Sequence, residues 1–428
     1  MSSAANVNLW GSRIGAVLLE EGNPTARFEY APDFAQSGIE VAPLMMPLSS
    51  RTYSFPDAPE TFHGLPGLLA DSLPDRFGNH LIDAWLATTG RDKDSFTPVE
   101  RLCYVGQRGM GALEFEPVVA PDLQGSNTLQ VGQLVELAGK ILKYQSGLKT
   151  SFQTDDTEAM RHIFQVGTSA GGARAKAVIA WNPKTNEVRS GQIHAGDGFE
   201  YWLIKFDGVQ DKQLADPQGY GAVEYAYHKM AVDCGITMSE CRLFEEGGRR
   251  HFMTRRFDRL ADGSKLHMQT LAALAHFDYF RPGVYSYEQV LDIMRRLNLP
   301  AKETAQFFRR MVFNIVARNQ DDHVKNTAFL MDRQGNWSLA PAYDVTYSYG
   351  QNWTLSHQMT LGGKRDHFTM DDFEACGKIA RLRRGGARRI INEVRRVVHG
   401  WRVYAEEHGV SPDQRDKIQN VFRLESFE

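Results

Sequence analysis

Cysteine is scarce in this chain: Cys103, Cys234, Cys241 and Cys376 are its four thiols in 428 residues. They are scattered, with neither zinc-ligand nor redox spacing, which excludes a disulfide-built scaffold and a cysteine-ligated metal site. Reduced thiols of a cytoplasmic protein are the expectation. No run approaches the roughly 18 apolar residues that a membrane span needs. The opening stretch MSSAANVNLWGS has neither the basic segment nor the apolar block of a secretory signal, so no membrane partner is expected. An excess of charge is missing too. A net charge of −3 and a pI near 6.5 do not describe a chain that coats nucleic acid by itself. Internal repeats, low-complexity tracts and metalloprotease, thiol-protease or nucleophile-elbow patterns are absent.

What is present is a soluble globular composition, 42% hydrophobic and 24% charged, in a chain long enough for two or three domains. The alternation around Ile14–Leu19 predicts a strand, as does Ala112–Phe115. Between them, apolar residues at helical spacing run through Leu65–Leu86, and Leu73-Pro74 splits that run into two helices. Residues 121–155 read as a polar connector carrying one helix, Val131–Tyr144. Strands are predicted at Arg161–Gln165, Ala177–Trp181 and Tyr201–Phe206, and two more within 243–259 turning at Gly247-Gly248. A helix over Val223–Cys234 stops at Gly235. After residue 265 the pattern is helical, clearest over Glu303–Arg318, and is broken by a polar loop at 319–326 and a hairpin of Ala328–Met331 with Trp337–Ala340. The expected fold is therefore α+β and two-lobed. A β-rich N-terminal lobe with an extra N-terminal subdomain precedes a helical lobe, with divisions near 1–120, 121–260 and 261–428.

The chemistry concentrates in Arg318-Asn319-Gln320-Asp321-Asp322-His323-Val324-Lys325-Asn326. A carboxylate and an amide five positions apart, on a loop after a long helix, match the D-x-x-x-x-N spacing of kinase catalytic loops. Asp321 can accept a hydroxyl proton, and Asn326 can offer a neutral oxygen to Mg²⁺ without repelling phosphates. Asp344 follows just beyond the hairpin, where a kinase places its second magnesium-binding carboxylate. Upstream, the glycine-bearing stretch Thr168–Lys176 can wrap phosphates with backbone N–H groups. Lys205 is a lone charge in the apolar strand Trp202-Leu203-Ile204-Lys205-Phe206, costly to bury without an anionic partner. A phosphate is one such partner, and an edge strand facing solvent is the alternative. Glu224 either pairs with Lys205 or favours the positive end of its helix. The run Arg381, Arg383, Arg384, Arg388, Arg389, Arg395, Arg396 either touches a nucleic-acid backbone or is a solvated helix face.

Taken in order, GTSAGGARAK, WLIKFD, VEYAYHKMA, RRFDR, RNQDDHVKN and LAPAYD resemble the HipA family of serine/threonine kinases, the toxin halves of bacterial toxin–antitoxin modules. Leu73-Pro74-Asp75-Arg76-Phe77-Gly78 and Gly109-Met110-Gly111-Ala112-Leu113 are similar to that family's N-terminal subdomain. The resemblance implies a protein-kinase-like fold with an all-α C-terminal lobe, and ATP and Mg²⁺ as cofactors. Asp321 would be the catalytic base, and Asn326 and Asp344 the magnesium ligands. Lys205, His323 and Tyr343 would line the nucleotide, with Gly171, Gly172, Ala173, Arg174, Ala175 and Lys176 over its phosphates. Arg255, Arg256 and Phe257 would lie against the adenine, although an acidic residue is common where Arg255 stands. Ser169 matches the family's autophosphorylated serine, whose two added charges would repel ATP. The implied partners are a small helix-turn-helix, HipB-like antitoxin, operator DNA mainly through that antitoxin, and an aminoacyl-tRNA synthetase as protein substrate. Two other readings stand beside this one: a co-repressor subunit with little catalysis, and a kinase of the same fold acting on a small molecule.

Overall fold

The computed structural model describes residues 2–119, 129–143, 174–193, 195–209, 219–260, 262–350, 352–425 and 427. Two compact units emerge, one of residues 1–42, 46–221 and 242–268, the other of 43–45, 222–241 and 269–428. The expected strand at 161–165 and the glycines 171–172 lie outside the described residues. Among the described residues no helix is long and apolar enough to cross a membrane.

The first unit opens with an antiparallel sheet ordered β3-β2-β1-β4, from β1 (Ser3–Leu9), β2 (Ser12–Leu19), β3 (Arg27–Tyr30) and β4 (Leu113–Glu116). In β1 the buried residues Ala5, Val7 and Leu9 alternate with polar ones, the period-2 signature of a strand with one wet face. The β1–β2 turn needs positive φ at Trp10 and Gly11 (51° and 80°). Trp10 is an uncommon choice there, and its indole N–H donates to the Lys265 carbonyl at 2.7 Å, which holds it. After α1 (Pro32–Ala35) and α2 (Gly67–Ala70), Pro74 ends the apolar run and Asp75 caps α3 (Arg76–Thr88), accepting from the Gly78 amide at 2.7 Å. A Thr97–Glu100 capping box opens α4 (Pro98–Val105).

The second sheet of this unit is ordered β6-β5-β7-β9-β8, from β5 (Lys176–Trp181), β6 (Val188–Ser190), β7 (Glu200–Lys205), β8 (Cys241–Glu246) and β9 (Arg249–Arg255). The register sets Ala177 opposite Ile204 and Ile179 opposite Trp202, so all four share a face. That face packs against Phe77 and Leu81 of α3 and against Val131, Leu134 and Val135 of α5 (Val131–Lys143). The expectation of a connector at 121–155 is corrected for α5: its apolar stripe is core. Each such side chain removed from water contributes about 1.5–3 kcal/mol.

One buried cluster ties distant stretches of the unit together. Asp258, fully buried, receives the Arg256 guanidinium at 2.9 and 2.7 Å, Arg259 at 2.8 Å and the Gly111 amide at 2.7 Å. The two arginines in turn donate to the carbonyls of Gly109 and Gly111, at 2.9–3.2 Å. Burial alone would raise the Asp258 pKa, but Arg256 and Arg259 outweigh it and hold the carboxyl far below its usual range. Gly111 has φ 74°, and a Cβ there would meet the Met268 nitrogen at 3.1 Å, so glycine suits both demands.

The second unit is helical around one hairpin. It holds most of α6 (Tyr220–Asp233), then α7 (Leu271–Ala275), α8 (Tyr287–Arg296), α9 (Ala301–Val316), α10 (Met370–Ile379), α11 (Gly386–His399), α12 (Trp401–Glu407) and α13 (Pro412–Gln419). Strand β10 (His267–Thr270) adjoins the hairpin of β11 (Ala328–Met331) and β12 (Trp337–Leu339), so the implied all-α C-terminal lobe is corrected: its helices surround a small sheet. The stripe Phe307, Phe308, Met311, Val312, Ile315, Val316 is buried as its spacing requires. On the polar side of α9, Arg309 and Gln306 donate to the carbonyls of Cys234 and Gly235, orphaned at the end of α6. Glu303 and Arg310 hold the hairpin's exit at the Leu339 amide and the Ala340 carbonyl, both at 2.7 Å. The basic run from Arg381 lies on and before α11, whose buried face is Ala387, Ile390, Ile391, Val394 and Val398. Its arginines therefore fall on the solvated side.

Asp258→Ala leaves two buried guanidinium groups without their carboxylate and should cost about 3–5 kcal/mol. A clear drop in the urea midpoint followed by circular dichroism checks it, and an unchanged midpoint would show that the cluster is not structural.

Candidate active site

The catalytic-loop candidate begins where α9 stops. Arg318 takes φ 56°, ending the helix. It is fixed there by donation to the Val421 carbonyl at 2.7 Å and by stacking 4.6 Å over the Tyr349 ring. The loop then runs beside residue 348, with the Gln320 amide on the Ser348 carbonyl at 2.9 Å and the Ser348 amide on the Arg318 carbonyl at 3.0 Å. Within it, the Asn326 side-chain amide donates to the Asp321 carbonyl at 2.9 Å, closing the five-residue span. Asn326 thus spends its N–H on the loop and directs its carbonyl oxygen elsewhere. His323 Nδ1 accepts from the Lys325 amide at 3.2 Å, so the ring carries its hydrogen on Nε2, 3.8 Å from Asp321 Oδ1. Tyr343 donates to the Lys325 carbonyl at 2.7 Å, which brings the next residue, Asp344, to this loop. Asp344 has φ 51°, in the left-handed region that aspartate enters more readily than most residues.

Beneath the loop lies a polar network that the spacing did not reveal. Asp322 is buried while its neighbour Asp321 stays partly exposed. Asp322 accepts from Tyr287, from His357 Nδ1 at 2.8 Å and from the Gln358 amide at 2.7 Å. Arg423 donates to His357 Nε2 at 2.8 Å and to Asp366 at 2.6 Å. A guanidinium can only donate, so His357 carries its hydrogen on Nδ1, facing Asp322. Burial alone would raise the Asp322 pKa, but His357, Tyr287 and the Gln358 amide outweigh it and hold the carboxyl below its usual range. Nothing in Asp-Asp-His tells which carboxylate is buried, and Tyr287, His357 and Arg423 belong to no motif. Trp353 was missed as well: its indole N–H donates to Asp321 Oδ1 at 2.7 Å.

Glu224 apart, the other predicted residues belong to the first unit. Lys205 ends β7 on the face opposite the buried Trp202 and Ile204, with Nζ 5.7 Å from the Phe252 ring centre. Arg174 lies 3.9 Å over the Tyr220 ring, and Ala175 is buried, its carbonyl accepting from the Phe206 amide. Ser169, Gly171, Gly172 and Ala173 lie outside the described residues. Two expectations are corrected. Lys176 is buried in an ion pair with Asp75 at 3.0 Å, and Arg256 is committed to Asp258; neither ammonium nor guanidinium is open to a nucleotide. Arg255 is 41% exposed, 3.6 Å from Glu200, and Phe257 is half-buried. Glu224 is buried beyond the first turn of α6, which begins at Tyr220 rather than Val223. The macrodipole fades within the first turn, so the helix-end reading of Glu224 loses its basis.

Comparison with known proteins bears on this geometry. Residues 5–116 match the HipA N-terminal domain and residues 168–401 the HipA-like C-terminal domain. The chain belongs to the HipA family. A solved HipA of Shewanella oneidensis MR-1, in complex with HipB and its operator DNA, superposes with a TM-score of 0.67 at 15% identity, over 97% of this chain and 94% of that one. The α+β, protein-kinase-like fold expected from the sequence is therefore the fold present. A Sinorhizobium fredii protein named "Putative kinase Y4mE" is 26% identical over 206 residues, which is 45% of this chain and 42% of that relative's length.

The folded pKa of Asp322 lies below its unfolded value of about 3.9, so its stabilisation is complete above that pH and is lost as pH falls through the folded pKa. Asp322→Asn should lower stability at neutral pH and flatten the further loss below about pH 4. Urea midpoints between pH 7 and pH 3 measure both, and parallel curves would refute the assignment.

Proposed function

We propose that this chain is a HipA-type serine/threonine kinase that transfers the γ-phosphate of ATP to a protein hydroxyl. The observation that carries the reading is the closed Asp321–Asn326 loop, bonded to Tyr343, the residue before Asp344, and braced from below by Asp322. One oxygen of Asp321 accepts from Trp353, and the other makes no hydrogen bond among the described residues. That second oxygen takes the acceptor's hydrogen as the hydroxyl oxygen bonds to the γ-phosphorus. The bond from phosphorus to the bridging β–γ oxygen breaks, and ADP leaves. The Asn326 carbonyl oxygen and the Asp344 carboxylate are hard donors of the kind Mg²⁺ takes, so these two residues would hold it. When bound, Mg²⁺ neutralises phosphate charge. Lys205 would contact the phosphates, Arg174 and Ala175 would border them, and Arg255 and Phe257 would border the adenine. In this reading residues 1–120 form the family's N-terminal subdomain, 121–260 the nucleotide-binding lobe and 261–428 the catalytic lobe.

Ser169 is the proposed site of self-phosphorylation, where added charge would oppose ATP binding. A small helix-turn-helix antitoxin of the HipB kind is the proposed partner, with operator DNA reached through it. The support is the solved relative, which was crystallised with both. An aminoacyl-tRNA synthetase is the proposed protein substrate, on the family resemblance, and the cytoplasm the proposed location.

Mass spectrometry of the chain incubated with Mg-ATP, beside Asp321→Ala, tests the reading. Phosphate is expected on Ser169 in the parent, with transfer reduced roughly 10²–10⁴-fold in the variant. Equal phosphorylation of both would remove Asp321 from the role of base. Ser169→Ala should abolish the gradual loss of activity during incubation with Mg-ATP, and an unchanged time course would count against Ser169. No phosphate anywhere and no ATP binding would leave the co-repressor reading.

A further inference from the structure

The loop from Phe277 to Tyr285 carries more aromatic surface than the unit covers. Phe280 is 63% exposed, and Leu355, two residues after Trp353, is 62% exposed. The rings form a continuous row that ends on the candidate catalytic loop. Phe280 meets Trp353 edge to face with centroids 6.1 Å apart, and Tyr279 lies 4.6 Å from Phe280 and 6.1 Å from His323. Lys325 Nζ sits 5.0 Å from the centre of the Tyr279 ring. At the far end of the row, the Trp353 indole is bonded to Asp321 itself.

This surface is held in place. Phe277 stacks on Tyr285 at 4.1 Å, the Tyr285 hydroxyl accepts from the Asp278 amide, and the Gly283 amide donates to the Gln358 carbonyl at 2.8 Å. The Gln358 side chain donates to the carbonyls of Gln320, Trp353 and Ser356, and its backbone amide to Asp322. One residue therefore fastens the aromatic loop, the Trp353 turn and the catalytic loop to one another. An exposed large apolar side chain at a single position is ordinary. A braced aromatic row that ends on a reacting carboxylate is not.

We infer that Phe280, Trp353 and Leu355 form the docking surface for the segment of a protein substrate that carries the acceptor hydroxyl. The surface selects a large apolar side chain within two residues of that hydroxyl. The inference rests on the kinase reading above. Asp321 meets the acceptor, so whatever is bonded to Asp321 borders the acceptor's own chain. Successive Cα atoms are about 3.8 Å apart, which brings side chains one or two positions from the hydroxyl to rings about 6 Å apart beside that carboxylate. Trp and Phe presented rigidly bind apolar side chains with little loss of their own freedom.

The test is a positional-scanning peptide library with a central Ser or Thr and Mg-ATP, applied to the parent, Phe280→Ala and Phe280→Leu. The parent should prefer apolar over small or acidic side chains at one or two flanking positions by roughly 10-fold or more. Phe280→Ala should flatten that preference by raising KM for the favoured peptides, with kcat little changed, and Phe280→Leu should keep most of it. A parent that phosphorylates Ser169 but selects no apolar neighbour, or phosphorylates no peptide, overturns the docking surface and leaves the kinase reading intact. The same preference in Phe280→Ala and parent also overturns it. So does a sedimentation shift on Phe280→Ala, because a second copy of the chain would then be the occupant. A parent that transfers phosphate to nothing, itself included, overturns the kinase reading and this inference with it.

Discussion

The buried carboxylate of Asp322 is the constraint on which the candidate site depends. A charge removed from water is costly unless hydrogen bonds meet it, and this one is met by three donors. Tyr287 reaches it from α8, and His357 and Gln358 reach it from the segment beyond the hairpin. Arg423, near the end of the chain, then fixes His357 and Asp366. Satisfying one carboxylate thus gathers four stretches of sequence under a single loop. The adjacent Asp321 is left at the surface with a defined direction. The exposed and the buried aspartate are one residue apart, and the loop's geometry is what separates their tasks.

The first unit follows the same physics at Asp258. Two arginines and a backbone amide satisfy its buried charge, and the spare guanidinium N–H groups bind the carbonyls of Gly109 and Gly111. Two motifs that the sequence presents as independent, RRFDR and GMGAL, are halves of one cluster, joined across 147 residues. The family resemblance would lay Arg255, Arg256 and Phe257 of RRFDR against the adenine. The structure divides it: Arg255 stays partly exposed while Arg256 turns inward. Lys176 repeats the lesson, because a lysine beside a glycine-bearing loop pairs here with the cap of α3.

Much of the local structure was legible because local periodicity encodes it. The split of Leu65–Leu86 at Pro74, the helix ending before Gly235, the Gly247-Gly248 turn and the hairpin after the candidate catalytic loop are all present. Each rests on a residue whose backbone preference acts over a few positions. Strands β1 and β3 and the core role of α5 were not legible. β1 is mostly serine, alanine and asparagine, with Val7 its one β-branched residue, so its strand is set by its neighbours on both sides. The stripe on α5 is plain in the sequence, but only the sheet it packs on makes it core.

By itself the sequence determined the spacing of Asp321, Asn326 and Asp344 and the order of motifs that marks the family. Those are properties of positions along the chain. Only the tertiary structure decided which aspartate of the pair is buried, which arginine turns inward, and that Trp353 bonds to Asp321 beside an exposed Phe280. Each of these outcomes is a competition for hydrogen-bond partners between residues distant in sequence, and it is settled where the folded chain brings them together.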